Sequence, residues 1–239
     1  MPRPAAGTIA VRGIAPSGRV IPDTLAPAGA PFSVPSLSAP CHRVPVALTL
    51  KEQIRLDRVA ARRSVPDSVR RAESRALCEH LFAIVGDDRT VAAYAPIETE
   101  PGYPDLPDAL LDLGIRVLLP VARRSEDGTP LPLRWGDYRG DPLQPAPFGL
   151  HEPRGGWLAP AALAAARTVF VPALAVDRRG VRLGRGAGFY DRSLSFRHPA
   201  ARLIAVVRDD ELVDHLPAEP HDVSMTHALT PTLGLVTLC

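Results

Sequence analysis

The sequence is poor in cysteine, and its three cysteines (Cys41, Cys78 and Cys239) lie far apart with no CxxC spacing. An odd number of scattered cysteines excludes a disulfide framework and a cysteine-based zinc site, and it favours a reducing compartment. The chain also lacks an apolar run approaching the roughly 18–20 residues that span a bilayer. Its first residues lack the continuous apolar region of a signal peptide. We therefore expect a cytoplasmic protein with no membrane partner.

A basic excess is missing from most of the chain. The formal charge is +2, but residues 1–47 hold four arginines against one aspartate, which leaves 24 basic and 25 acidic side chains in the remainder. A body without a positive field does not retain a polyanion, so we expect no nucleic-acid partner. Of the 28 basic residues only Lys51 is a lysine. Two interpretations stay open: an ammonium group is useful at this position, or a single lysine remained there by chance.

Residues 1–47 lack any helical or strand periodicity and are rich in proline, with nine prolines in the first 46 residues. Such a segment buries too little apolar surface to offset its ordering entropy. We predict that residues 1–47 form a disordered extension and that residues 48–239 form one domain. A transit peptide would need an amphipathic helix that the prolines break. A start codon assigned too early is a further alternative.

From residue 49 onward, helical patterns alternate with apolar strand patterns. Thr49 can cap a helix that ends before Pro66, and a second helix is predicted over residues 66–84. The apolar segments 168–177 and 201–209 are typical of strands covered on both faces, and the alanine-rich segment before the first of them is predicted to be helical. This alternation predicts an α/β fold, a three-layer α/β/α sandwich with a mainly parallel sheet of the Rossmann-like type found in sugar-phosphate isomerases and CoA transferases.

A glycine-rich segment follows the predicted strand that ends at Asp177. It combines alternating glycines with two arginines, an aromatic pair and an acid: Gly184, Gly186, Gly188, Arg182, Arg185, Phe189, Tyr190 and Asp191. Alternating glycines let backbone N–H groups approach an anion, and guanidinium groups match phosphate oxygens. The segment is neither a Walker loop nor a GxGxxG motif. We interpret it as a phosphate-binding loop; the alternative is a flexible surface turn.

Several motifs resemble those of the 5-formyltetrahydrofolate cyclo-ligase family. The glycine signature spans residues 172–192, and four shorter motifs fall in the family's order: KEQIR, YAPIETE, PFGLHEP and LPAEPHD, which begin at residues 51, 94, 147 and 216. The similarity covers about residues 50–235. It implies an enzyme that uses ATP and Mg²⁺ to close 5-formyltetrahydrofolate to 5,10-methenyltetrahydrofolate, with ADP and phosphate as the other products. Its partners would be these small molecules, and the protein would be a monomer.

The resemblance also implies a role for each matching residue. ATP would be bound by Lys51, Arg55, Arg182, Leu183, Gly184, Arg185, Gly186, Ala187, Gly188, Phe189 and Tyr190. Arg185 would lie nearest the transferred phosphoryl group and act as the catalytic residue. Asp191 and Asp222 would hold Mg²⁺. Glu100 and Ala95 would line the pterin pocket, and Glu98 is a close rival to Glu100.

Two departures from the family pattern and two alternative functions remain. Thr226 stands where the family has a further acid after Asp222, and Ala187 stands where a glycine or lysine is frequent. One alternative is a non-catalytic relative that keeps a folate or nucleotide pocket. The other is a sugar-phosphate enzyme or CoA transferase on a similar scaffold, since a fold alone does not fix a function.

Overall fold

The structure is a computed structural model that describes residues 48–238. The prediction for residues 1–47 lies outside the described residues. Within residues 48–238, no helix is both long enough and apolar enough to cross a membrane.

Helices and strands alternate along the described chain. The strands are β1 Thr90–Ala92, β2 Arg116–Val121, β3 Arg134–Tyr138, β4 Gln144–Ala146, β5 Leu150–Glu152, β6 Thr168–Pro172, β7 Ala175–Asp177, β8 Arg182–Leu183, β9 Arg202–Val206, β10 Leu212–Val213, β11 His227–Thr230 and β12 Gly234–Thr237. The α-helices are α1 Leu50–Ser64, α2 Asp67–Glu79, α3 Leu81–Val85, α4 Leu106–Asp112 and α5 Phe189–Ser193. Short 3₁₀ helices span Pro147–Gly149, Pro160–Ala165, Leu194–Phe196 and Asp209–Glu211.

A seven-stranded sheet forms the centre, in the order β12-β11-β9-β6-β1-β2-β3. The five inner strands are parallel, and β12 and β3 pair antiparallel at the two edges. The predicted α/β class with a mainly parallel sheet is therefore confirmed. Parallel neighbours bring their carboxyl ends to one edge of the sheet, which is where open α/β proteins bind ligands.

Both faces of the central sheet are buried, which explains why its strands are apolar at nearly every position. Along β6, Val169 and Val171 pack into one core cluster and Phe170 into the other. Along β9, Ile204 and Ala205 alternate between the clusters in the same way. Successive side chains of a strand point to opposite faces, so a continuous apolar run is the pattern that a doubly covered sheet requires. The helices α2, α3 and α4 cover one face.

The first helix begins where the sequence predicts. Thr49 accepts a hydrogen bond from the Glu52 backbone, and the Glu52 carboxylate accepts one from the Thr49 N–H, which completes a capping box. The second predicted helix, over residues 66–84, is wrong as a single element. It divides at His80 into α2 and α3, and the His80 ring bonds the Pro231 carbonyl oxygen at 3.1 Å.

Two further predictions around the glycine loop are corrected. The segment 168–177 is two strands rather than one, because β6 ends at Pro172 and β7 belongs to a separate three-stranded sheet of order β10-β7-β8. Proline has no N–H to continue a ladder, so the chain can leave the sheet there. The alanine-rich segment before β6 forms the 3₁₀ helix Pro160–Ala165 instead of an α-helix.

The small sheet and α1 form a third core cluster beside the carboxyl edge of the central sheet. Its buried members include Leu174, Leu183 and Leu216, and Ile54 and Val59 of α1 pack against the cluster. This packing places α1, the glycine loop and residues 216–222 around one space. The predicted site residues lie on those three segments, apart from Ala95 and Glu100.

Candidate active site

A cleft of about 370 Å³ opens at the carboxyl edge of the central sheet. Part of its lining comes from residues that follow parallel strands: Ala173 after β6, Tyr94 after β1 and Ala122 after β2. The lining also includes nearly every residue predicted for the site: Lys51, Arg55, Ala95, Glu100, Arg182, Gly184, Arg185, Gly186, Ala187, Gly188, Phe189, Tyr190, Asp191 and Asp222. Segments up to 171 residues apart in the sequence thus line one space.

The lone lysine is bonded to a predicted metal ligand. Lys51 is 8 % exposed, and its Nζ lies 2.8 Å from Oδ2 of Asp222 and 3.3 Å from Oε2 of Glu219. Burial raises the pKa of Asp222, but the hydrogen bonds from Lys51 and from the Glu219 N–H outweigh it and leave that pKa below its usual value. The Asp222 carboxylate is therefore ionised at neutral pH and pairs with the Lys51 side chain.

Arg55 lies one helical turn after Lys51 and reaches the glycine loop. Its Nε donates to the Gly184 carbonyl oxygen at 3.0 Å, so α1 and the loop are joined directly. Gly186 and Gly188 have φ values of 95° and 72°, which residues with a side chain rarely adopt. The loop therefore needs glycine at positions 186 and 188 to adopt this backbone conformation, as an anion-binding turn does.

Arg182, at the start of the glycine loop, is buried against Asp191 of α5, which is a predicted metal ligand. Arg182 is 8 % exposed, donates from Nη2 to Oδ1 of Asp191 at 2.8 Å, and lies 5.6 Å from the centre of the Tyr190 ring. A Cβ atom on Gly184 would lie only 2.8 Å from Nη1 of Arg182, so the guanidinium occupies space that a side chain would fill. Burial raises the pKa of the Tyr190 hydroxyl well above its usual range.

Arg185 joins the glycine loop to Glu100, the residue whose carboxylate is predicted to bind the pterin. Its Nε donates to Oε1 of Glu100 at 2.9 Å, and the other oxygen of Glu100 accepts the Ile97 N–H at 3.1 Å. Glu100 is 8 % exposed. Its sequence rival Glu98 is exposed and lies near Arg70, away from the residues that line the cleft. Of the two acids, Glu100 alone can reach a ligand in the cleft.

Between the charged residues, the wall of the cleft is apolar and partly aromatic. Its members are Tyr94, Ala95, Pro120, Ala122, Leu133, Phe148, Leu150 and Phe189. The rings of Phe148 and Phe189 are 5.6 Å apart, and Phe148 is the single non-glycine residue of the described chain with a positive φ, at 69°. An apolar wall that includes aromatic rings suits a ring system with a few polar atoms at its edge.

The residues that could hold a metal are acids of the cleft. Ligand atoms of Glu219, His221 and Asp222 lie within 4.8 Å of one another, and carboxylate oxygens are the donors that Mg²⁺ prefers. Asp191 lines the same cleft but is bonded to Arg182. The two carboxylates of this set, Glu219 and Asp222, thus suit a hard divalent cation such as Mg²⁺. The Lys51 ammonium occupies part of that space.

Three predicted positions have a different or smaller role in the structure. The Leu183 side chain is buried in the third core cluster and does not line the cleft. Ala187 has no positive φ, so its methyl group is accommodated without strain. Thr226 bonds the β9 backbone at Leu203 through its hydroxyl, accepting from the N–H at 2.9 Å and donating to the carbonyl oxygen at 3.1 Å. A residue used in this way supports the sheet.

Sequence reasoning missed a buried acid that holds the loop in place. Asp177 is fully buried; Oδ1 accepts the Arg179 and Val181 N–H groups, and Oδ2 accepts the Leu216 N–H at 3.0 Å. Burial raises the pKa of Asp177, but these bonds and the Arg179 side chain lower it more. The carboxylate therefore links the start of the glycine loop to the segment that carries Asp222. Its place inside the glycine signature was the available signal.

A second missed feature is the buried partner of Arg62, a residue that follows the KEQIR motif and lines the cleft. Arg62 bonds both oxygens of Glu211, at 2.6 and 2.7 Å, and also donates to the Ala173 carbonyl oxygen. Both side chains are almost fully buried. Breaking such a pair by removing one partner leaves an unpaired buried charge, which costs about 3–5 kcal/mol. The pair fixes α1 to the 3₁₀ helix of Glu211, and the bond to Ala173 fixes α1 to the turn between β6 and β7.

Comparisons with known proteins agree on one family. A family model described as the 5-formyltetrahydrofolate cyclo-ligase family matches residues 48–231. A curated 5-formyltetrahydrofolate cyclo-ligase from Mycolicibacterium smegmatis is 55 % identical over 188 residues, which cover 79 % of this chain and 97 % of that protein. One from Escherichia coli is 31 % identical over 144 residues, 60 % of this chain and 78 % of the relative.

Solved structures show the same fold. The chain resembles a 5,10-methenyltetrahydrofolate synthetase from Aquifex aeolicus with a TM-score of 0.64 and 23 % identity, over 80 % of this chain and 93 % of the other. It resembles one from Mycoplasma pneumoniae with a TM-score of 0.57 and 20 % identity, over 74 % and 96 % of the two chains. At these identities the likeness establishes the arrangement of the strands and helices.

Proposed function

The chain belongs to the 5-formyltetrahydrofolate cyclo-ligase family, and we propose that it closes 5-formyltetrahydrofolate to 5,10-methenyltetrahydrofolate with consumption of ATP and a requirement for Mg²⁺. The family match and the 55 % identical relative support the reaction. The composition of the cleft supports the use of ATP, because guanidinium groups and a glycine-rich backbone line one part of it.

The proposed reaction converts a poor leaving group into a good one. The formyl oxygen attacks the γ-phosphorus of ATP, the bond from that phosphorus to the bridging oxygen breaks, and ADP leaves. The neighbouring nitrogen of the folate then attacks the activated formyl carbon and loses its proton. Inorganic phosphate departs with the former formyl oxygen. Catalysis of the first step consists mainly of positioning and of positive charge around the moving phosphoryl group.

Four charged residues of the cleft would bind the nucleotide and its metal ion in this scheme. Lys51 and Arg55 would bind ATP phosphates from α1, and the backbone of residues 184–188 would bind them from the loop. Asp222 and Asp191 would hold the magnesium ion, which when bound neutralises charge on the phosphates. Because Lys51 and Asp222 are bonded to each other here, each would exchange this partner for a phosphate oxygen or the ion.

Glu100 and Arg185 would act where the two substrates meet. The Glu100 carboxylate would accept N–H groups from the pterin edge, against the apolar wall that includes Ala95. Arg185 would move from Glu100 to the oxygens of the transferred phosphoryl group. The contact between these two side chains is the observation that carries the proposal, because it joins the glycine loop to Glu100, with 2.9 Å between Arg185 Nε and Glu100 Oε1.

The test is absorbance during incubation of the purified protein with 5-formyltetrahydrofolate, Mg²⁺ and ATP. The methenyl product has its own near-ultraviolet band, and we expect this band to grow only when both ATP and Mg²⁺ are present. Release of one ADP for each product formed would support the coupling of the two substrates. A folded protein that binds ATP but forms no product would instead be a non-catalytic relative.

Three further statements stay as proposals. The protein is cytoplasmic, it is a monomer, and it consists of an extension over residues 1–47 and a domain over residues 48–239. The monomer is tested by light scattering of the full chain. Limited proteolysis tests the division, since cleavage is expected near residue 47 and not within the domain.

A further inference from the structure

The order of the strands also determines where the charged and the apolar residues lie along the cleft. The charged end lies beside β6, where α1 and the glycine loop pack on the small sheet. The apolar wall continues over the ends of β1 and β2, at Tyr94 and Ala122, and reaches Leu133 before β3. Neighbouring strands are about 4.8 Å apart, so β6 and β2 are separated by about 10 Å. A ligand that spans the cleft therefore has its far end near the residues that follow β2.

Two consecutive arginines follow β2, and they differ in their partners. Arg123 is bonded to both oxygens of Glu152 at 2.7 Å and lies over the Trp157 ring. Arg124 is exposed and pairs with no acid of the described chain; its Nη1 donates to the Gly128 carbonyl oxygen. Its guanidinium carbon lies 5.2 Å from the centre of the Phe148 ring.

The same guanidinium also lies 5.7 Å from the centre of the Phe189 ring. Phe148 and Phe189 both line the cleft, so the two rings hold the Arg124 guanidinium at the margin of that space, just outside the residues that line it. A guanidinium placed in this way has donors left over and is pre-organised for a carboxylate, which it can bind through two parallel hydrogen bonds.

We propose that Arg124 binds the carboxylates of the glutamate part of the folate, beyond the ring that Glu100 receives. This inference rests on the proposed function, because it assigns the remaining part of the same substrate. The pterin edge would lie at Glu100, the aromatic middle of the folate along the apolar wall, and the dicarboxylate at Arg124. Arg124 would thus favour glutamate-bearing folates over analogues that end at the aminobenzoate.

The experiment compares the binding of 5-formyltetrahydrofolate with that of 5-formyltetrahydropteroate, which lacks the glutamate, by titration calorimetry without ATP. We expect the wild-type protein to bind the glutamate-bearing ligand about tenfold more tightly. Arg124→Leu should reduce this ratio to near one, and Arg124→Lys should keep part of it because the charge remains. Arg167→Leu is the matched control: Arg167 is exposed before β6 at the opposite edge of the sheet, and its replacement should leave the ratio unchanged.

The outcomes separate this inference from the proposed function. The inference is overturned by equal binding of the two ligands to the wild type, by an Arg124→Leu ratio equal to that of the wild type, or by an equal weakening of both ligands. If the wild type turns over 5-formyltetrahydrofolate but shows no preference for the glutamate-bearing ligand, the proposed function holds and this inference fails. If the protein shows a preference that depends on Arg124 but no turnover, this inference holds and the proposed function fails.

Discussion

Nε of Arg185 lies 2.9 Å from Oε1 of Glu100, although 85 residues separate them in the sequence. One residue belongs to the glycine loop and the other to the segment that follows β1, so their contact joins two predicted subsites. Arg185 is 43 % exposed at its side chain, whereas Glu100 is nearly buried. The arginine can therefore leave its partner when a ligand enters, while the carboxylate stays fixed by the Ile97 N–H.

Replacement of Arg185 should abolish turnover without unfolding the protein. We expect Arg185→Ala to lower kcat by at least about a thousandfold, the effect typical of an arginine that stabilises a transferring phosphoryl group. Circular dichroism and the midpoint of urea unfolding should stay near wild-type values, because the side chain is partly exposed. Arg178→Ala, at another exposed arginine, is the control and should retain activity. Near-normal turnover by Arg185→Ala would remove Arg185 from the mechanism.

Removal of the Lys51 ammonium should raise the pKa of Asp222. In Lys51→Met the burial that raises this pKa persists, while the hydrogen bond that lowers it is lost. Carbon-detected NMR of the Asp222 carboxyl group measures the change directly. An identical titration of Asp222 in the variant and the wild type would contradict the role of the ion pair.

The same ion pair sets a pH dependence of stability. Since the folded-state pKa of Asp222 lies below its unfolded value near 3.8, its contribution is present above that pH and is lost as the pH falls through the folded pKa. In Lys51→Met this contribution should be smaller. Urea unfolding at pH values from 5 down to 2 should then show a weaker loss of stability on acidification than in the wild type.

Asp177 should determine both stability and nucleotide binding. Asp177→Ala leaves the buried Val181 and Leu216 N–H groups without an acceptor, and we expect a loss of about 3–5 kcal/mol in the free energy of unfolding. Asp177→Asn keeps Oδ1 as an acceptor and should lose less. If the carboxylate positions the loop, Asp177→Asn should also raise the KM for ATP more than the KM for the folate. Equal changes in both constants would indicate a general loss of structure.

Gly184→Ala should act through one identified neighbour. The new methyl group would meet Nη1 of Arg182 and displace the guanidinium from Asp191, so we expect a several-fold increase in the KM for ATP. In an Arg182→Ala background the neighbour is absent, and the added methyl group should have little further effect. Additive effects of the two substitutions would mean that Gly184 is needed for another reason.

Much of the architecture could be predicted because it depends on local patterns. The Thr49 capping box needs only residues 49–52, and the strand of Val169 and Phe170 is visible as an unbroken apolar run. The division of 168–177 at Pro172 could not be read in the same way. Whether a chain continues in one sheet or enters another depends on the partners available to it, and those partners lie far away in the sequence.

The sequence by itself determined which chemical groups are present and which short segments carry them: one lysine, an arginine- and glycine-rich loop, and acids in recognisable motifs. Only the tertiary structure decided which groups meet. It bonded Lys51 to Asp222, Arg185 to Glu100 and Asp177 to the segment of Leu216. The physical reason is the sequence separation over which each interaction acts. Hydrophobic periodicity and capping act within a few residues, whereas ion pairs and buried hydrogen bonds form between segments that only the packing of the sheets brings together.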